Sequence, residues 1–164
     1  MRFRKSGWVI VAVSLLFSGA FATVEAGGSF FAGANFPTGD FNSGADIGWS
    51  LGGYYTYDAL PIVEVGGIVA YNDFSTEHVD NFTAWEIEAL GQANILFLRG
   101  FLGLGVANYS DISEGGDSRR KTKFAWQAGV AATFLMLEGR LGYHLIDLGE
   151  GSANWVNLSV GLMF

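Results

Sequence analysis

The sequence holds no cysteine. That excludes disulfide staples, thiolate metal sites and the lipidated cysteine of a bacterial lipoprotein. Proline is almost missing: only Pro37 and Pro61 occur, and both can sit at strand ends. Positive charge is scarce, with 9 Lys+Arg against 16 Asp+Glu and a formal net charge of −7. Nucleic acid is therefore not an expected partner, because such binding depends on neutralising phosphates. His78 and His144 are the only histidines. No metal-ligand spacing and no phosphate loop is present, so neither a metal nor a cofactor is expected. Beyond the N-terminal segment, no apolar run is long enough to cross a membrane as a helix.

The N-terminal segment has its own signature. Arg2, Arg4 and Lys5 precede an apolar run from Trp8 to Phe17, and small residues follow. This is the layout of a secretory signal peptide. Cleavage is expected after Ala26, with Ala22 as the alternative, which divides the chain into a signal peptide, 1–26, and one domain, 27–164. Removing the signal takes away three basic residues and Glu25, so the remaining chain is more acidic still.

What is abundant looks contradictory at first. Half of the residues are hydrophobic, 15% are aromatic and 24 are glycine, yet the apolar residues do not form long runs. Alternation resolves the contradiction. In the last ten residues, Val156, Leu158, Val160, Leu162 and Phe164 occupy every second position, with Asn157, Ser159, Gly161 and Met163 between them. A period of two marks a strand with two unlike faces.

The same pattern recurs along the chain. Strands are expected at about 28–36, 46–58, 62–74, 84–96, 101–110, 123–134, 136–148 and 155–164. Ala, Glu and Leu in 84–92 favour a helix, but six alternating pairs decide for a strand. The connections after the second, fourth and sixth strands are short, and the others are longer. Eight strands of membrane-crossing length, with connections that alternate in this way, predict an all-β, eight-stranded antiparallel up-and-down transmembrane β-barrel. Its apolar side chains would face lipid, and its glycines and charges would pack around the axis. Both termini would lie on the side of the short turns, in the periplasm. A soluble eight-stranded ligand carrier is the rival, and it would reverse every face.

Gly33-Ala34-Asn35-Phe36-Pro37-Thr38-Gly39-Asp40-Phe41, the glycine-rich alternating strands and Phe164 resemble the small outer-membrane β-barrel domain family, the OmpA/OmpX-like barrels. The resemblance spans nearly all of 27–164. It implies a bacterial outer-membrane protein, monomeric, in contact with outer-membrane lipid and lipopolysaccharide. Val160, Leu162 and Phe164 would form a C-terminal assembly signal for the barrel-assembly machinery. No cell-wall-binding domain is expected after the barrel, so a tether of the OmpA kind is not implied.

Aromatic residues suggest depth, since Trp and Tyr favour membrane–water boundaries. Tyr71, Trp85, Tyr109, Phe124, Trp126 and Trp155 are expected near the outer boundary. Tyr55, Tyr57, Phe97, Phe134 and Phe164 are expected near the inner one.

The inward face is expected to carry Glu64, Glu86, Glu88, Glu138, Arg140 and His144. Eight strands leave room only for side chains, so these charges need partners. Arg140 is read as the only inward cation outside the loops, paired with Glu64 and Glu138, and His144 could meet Glu88. These residues would plug the lumen, or line a narrow proton or ion path. Arg119, Arg120, Lys121 and Lys123 form a basic loop cluster suited to lipopolysaccharide phosphates, or to pairing with Asp111, Glu114 or Asp117.

Some eight-stranded barrels modify lipid A, so catalysis needs weighing. Ser75, His78 and Asp80 share one loop, but no Ser lies within two residues of His144 and the His-x-Ser element of the deacylases is missing. The protein is not expected to be an enzyme.

Overall fold

The structure is a computed structural model and describes residues 26–76, 81–111, 119–149 and 151–164. Eight strands follow one another: β1 Ala26–Thr38, β2 Gly48–Leu60, β3 Val63–Phe74, β4 Phe82–Ile95, β5 Leu98–Asp111, β6 Arg119–Phe134, β7 Leu137–Asp147 and β8 Ser152–Met163. Each pairs antiparallel with its sequence neighbour, and β1 pairs with β8, which closes the barrel. The region with helix-forming composition is strand throughout β4.

The period of two sorts the side chains as a lipid-facing barrel requires. Leu51, Ile87, Leu102, Leu104, Val130, Leu141, Leu158 and Val160 are exposed on the outside. Ser29, Asn35, Asn72, Glu86, Gln127, Glu138 and Arg140 are buried inside. The soluble-carrier arrangement is the reverse of this one.

The strands extend beyond the expected limits at several ends, and the differences have physical causes. The short turns are only Pro61-Ile62, Leu96-Phe97 and Leu135-Met136. Leu96 has φ 59° and Leu135 has φ 56°. That region costs a residue with a Cβ about 1–2 kcal/mol, so the two leucines are poor turn formers and gave no turn signal. Gly100 looked like a turn residue but lies inside β5, facing outward with open space around its Cα. At the other end, β6 starts at Arg119, so the basic residues expected in a loop belong to a strand.

The expected signal peptide falls on residues 1–25, outside the described residues, and on Ala26, which opens β1.

Outward aromatics lie toward both ends: Tyr57, Phe97, Phe134 and Phe164 are exposed near the short turns, and a second set gathers at the end with the long connections. Trp49, Tyr71 and Trp85 stack in a row, with ring centres 5.3 and 4.9 Å apart, and Trp126 lies 5.8 Å from Tyr143. Tyr109 and Trp155 do not join them. Both are buried inside the barrel, because each has the inward parity of its strand; their aromatic character had suggested the boundary.

Candidate functional site

The interior is built in layers, and the one at the end with the long connections is apolar. Phe74, Phe82, Tyr109, Ile146 and Trp155 are buried there with Ala84, Ala107, Ala125 and Ala153. The connection after β1 closes over them. Its short 3-10 turn, Gly39–Ser43, starts at a glycine with φ 60° and places Phe41 against the cluster. The Phe41 ring centre is 5.1 Å from both Phe74 and Phe82 and 6.3 Å from Trp155. The expectation that glycines and charges fill the axis is thus wrong for this end. Here inward positions of five strands carry alanine or aromatic residues, and these pack together as one apolar cluster.

Beneath the cluster lies a polar relay. Asn157 donates to Asn35 Oδ1 at 2.6 Å and to Ser50 Oγ at 2.8 Å. Asn35 donates to Asn72 Oδ1 at 3.0 Å, and Asn72 donates to Glu86 Oε1. Glu86 Oε2 lies 3.4 Å from His144 Nδ1. The His144 ring stacks on Trp155 at 5.2 Å with 14° between planes, which joins the relay to the apolar layer. His144 therefore meets Glu86, not the expected Glu88. Glu88 instead accepts from Gln127 Nε2 at 2.6 Å. Strand stagger decides this: Gln127, the register partner of His144, is the side chain that reaches Glu88, while the imidazole reaches Glu86.

Deeper still, Arg140 sits among three rings. Its guanidinium carbon is 5.0 Å from the centre of Phe31, 4.8 Å from Tyr54 and 4.4 Å from Phe101. A guanidinium over aromatic faces is attracted by their electron-rich centres, most strongly away from water. Arg140 Nη1 lies 3.6 Å from Glu138 Oε1, a loose ion pair.

The tight ion pair belongs to Arg99. Arg99 Nη1 donates to Glu138 Oε2 at 2.9 Å and to Tyr54 Oη at 2.7 Å, and Tyr54 donates to the same Glu138 oxygen at 2.7 Å. Arg99 Nε donates to Asn94 Oδ1 at 2.8 Å, and Asn94 in turn donates to Glu64 Oε1. Thr56 donates to Glu64 Oε2 at 2.7 Å, and Arg99 Nη2 stands 3.9 Å from Glu64. This corrects two expectations. Arg140 is not the sole inward cation, and the cation facing Glu64 is Arg99. A turn placed over Phe97–Gly100 had kept Arg99 out of the barrel; with β5 starting at Leu98, its parity is that of inward Phe101 and Gly103.

Of the six expected lumen residues, all face inward: Glu86 stands between His144 and the Glu88 carboxyl, Glu88 accepts from Gln127, and Glu138 lies with Arg140 and, through Arg99, is linked to Glu64. Asn35, Asn72 and Asn157 were visible as inward residues. Their linkage needed the register between strands that lie far apart in sequence.

The basic set is divided by the pleat. Lys121 and Lys123 are register partners of inward Tyr109 and Ala107, while Arg120 has the outward parity of Phe124. The side chains of Arg119 and Asp111, and all of Glu114 and Asp117, lie outside the described residues, as do His78 and Asp80. Val160, Leu162 and Phe164 share the exposed face of β8, and Phe164 stacks on Phe30 at 5.1 Å.

An apolar exterior around buried polar and charged side chains defines a small inside-out β-barrel, the architecture of outer-membrane proteins. No family model and no curated protein matches the sequence. Solved structures do. The N-terminal β-barrel domain of Pseudomonas aeruginosa OprF matches with a TM-score of 0.62 and 16% identity, over 87% of this chain and 100% of that one. The Yersinia pestis outer membrane protein Ail, in a phospholipid bilayer nanodisc, matches with a TM-score of 0.59 and 18% identity, over 85% and 100%. Neisserial surface protein A matches with a TM-score of 0.51 and 15% identity, over 87% and 98%. The chain shares the fold of these small outer-membrane barrels.

Proposed function

We propose that the protein is a bacterial outer-membrane β-barrel of structural or surface-interaction type, with a lumen plugged by its own side chains and both termini periplasmic. One observation carries this reading: three unlike layers follow one another along the axis. The Phe41 cluster excludes water, the Asn–Glu–His relay crosses the bore, and the Arg140 cage with the Arg99 network fills the far end. An ion would have to displace each layer in turn, and each is held by partners on several strands.

The exposed long connections then meet solvent, lipopolysaccharide or another surface. Arg120, Lys121 and Lys123 are the part of that rim suited to lipid phosphates. The outward face of Val160, Leu162 and Phe164 is what the assembly machinery would read. Catalysis is not part of the proposal, since the side chains set against His144 are Glu86 and Trp155 rather than a hydroxyl nucleophile.

A second reading has support from charge. Glu64, Glu86, Glu88 and Glu138 outnumber Arg99 and Arg140, so any path through the lumen would favour cations. Single-channel recording of the purified protein in planar bilayers separates the two. Silence at all voltages is expected, and steady cation-selective steps would replace the plug with a channel. Mass spectrometry of lipid A with and without expression should show no change; a deacylated or acylated product would make the protein an enzyme.

A further inference from the structure

The two ends of this barrel are unlike in a way the fold does not require. The outer end carries polar connections and a Trp–Tyr row. The short-turn end carries two uninterrupted apolar stretches, Ile95-Leu96-Phe97-Leu98 and Phe134-Leu135-Met136-Leu137, and every one of these side chains is exposed. Leu96 is 94% exposed and Leu135 is 85% exposed. The third turn, Pro61-Ile62, also lacks charge, and Ile62 is exposed. Runs of exposed apolar residues at a turn are out of place in water unless they serve a purpose.

Backbone conformation sharpens the point. Leu96 and Leu135 each take the first position of a two-residue turn, with φ near +60°. Glycine or asparagine fits that position without strain. The same poorly suited residue at the equivalent place in two turns says that the side chain, not the bend, is being used.

Hydrogen bonding completes the argument. Ile62 O accepts from Asn94 N at 2.8 Å, Phe97 O from Thr133 N at 3.1 Å and Met136 O from Met163 N at 2.8 Å. In all three turns, the carbonyl of the second residue is thus bonded to the next strand round the barrel. A polar backbone group can leave water only when it has such a partner.

We infer that the short-turn end is sunk into the adjoining phospholipid leaflet, with Leu96, Phe97, Leu135 and Met136 seated among the acyl chains below the phosphates. The occupant is lipid because the turns continue the outward apolar belt directly. On β6 and β7, outward Phe124, Val130 and Phe134 lead through the turn to Leu137 and Leu141, with no charge on that outward face, since Glu138 and Arg140 point inward. The inference rests on the proposed membrane reading and adds where the barrel stops within the bilayer.

The absence of cysteine makes the test clean. Single-cysteine variants Leu96→Cys, Leu135→Cys, Leu104→Cys in the mid-belt and Asn42→Cys at the outer end are folded into phospholipid nanodiscs, where both ends meet buffer. A heat-shifted gel band verifies each barrel. Reaction with a charged, membrane-impermeant maleimide is timed, and quenching of a coupled dye by nitroxide-bearing lipid is measured. Leu96→Cys and Leu135→Cys are expected to react about tenfold or more slowly than Asn42→Cys, because the charged reagent is excluded from hydrocarbon, and to be quenched. If they react like Asn42→Cys and escape quenching while Leu104→Cys stays protected, the inference is overturned and the membrane reading survives. If Leu104→Cys also reacts freely, the membrane reading falls, and the inference goes with it.

Discussion

Arg99 and Glu138 meet at 2.9 Å across the inside of the barrel, reaching past β6 to join β5 to β7. Glu138 is fully buried, and its nearest cations are this arginine and the more distant Arg140. Removing one partner of a buried ion pair leaves the other charge without compensation, at about 3–5 kcal/mol. Arg99→Met should lower folding stability by that order in urea titrations of the bilayer-inserted protein. Arg99→Met combined with Glu138→Leu should lose less than Arg99→Met alone. A double variant less stable than the single one would show that the pair is not what matters.

Arg140 offers a different test, because three rings hold it as much as Glu138 does. Arg140→Leu keeps the bulk and loses the charge. Conductance should stay nil, and stability should fall by about 1–3 kcal/mol, through the lost ring contacts and the carboxylate left with one cation fewer. Current steps in Arg140→Leu would instead identify the guanidinium as the element that closes a path.

Phe41 is the aromatic side chain that the connection after β1 packs against the outer cluster, beside Ala45. Phe41→Ala should cost about 2 kcal/mol, less than the 3–5 of a fully buried phenylalanine, because Phe41 is only partly buried. Proteolysis within 39–47 should become faster, since the ring anchors the first half of a connection whose second half is held by the Ala45–Thr76 bridge and by Asp46 N donating to Ser75 O at 2.8 Å. Unchanged cleavage would mean the backbone alone holds it.

Two glycines of β5 form a matched pair. A Cβ on Gly103 would lie 2.1 Å from Glu88 Oε2 and 2.9 Å from Gln127 Cγ, whereas a Cβ on Gly100 would meet nothing within 4 Å. Gly103→Ala should destabilise by about 1–3 kcal/mol through overpacking. Gly100→Ala should be neutral or stabilising by up to about 1 kcal/mol. Equal midpoints for the two variants in thermal unfolding would contradict the layered interior.

Charge reversal at Arg120, Lys121 and Lys123 tests the rim. Lipopolysaccharide binding should weaken, and the loss should shrink as salt is raised, as for exposed charges meeting phosphate. Binding that is unaffected at low salt would remove these residues from the contact.

Barrel, strand number and facing were legible because they rest on a period of two, which survives errors at the strand ends. The interior partners were not. A two-residue turn made of Leu96 and Phe97 carries no glycine or proline to announce it, so Arg99 was hidden by its own turn. Pairing Glu64 with Arg140, or Glu88 with His144, needs the stagger between strands, and pleats counted along one strand do not supply it. Tyr109 and Trp155 show a second failure. Their parity pointed inward and their chemistry pointed to the boundary, and parity was the sounder guide.

The seam between β1 and β8 sets the order of events in biogenesis. Ser29 lies opposite Met163, and Gly28 exchanges both backbone hydrogen bonds with Phe164. Nearly the whole ribbon must be made before its two edges can meet, so the ring cannot close during vectorial synthesis. Until then two strand edges stay open to stray pairing, so the last strand to emerge is also the one that removes the hazard.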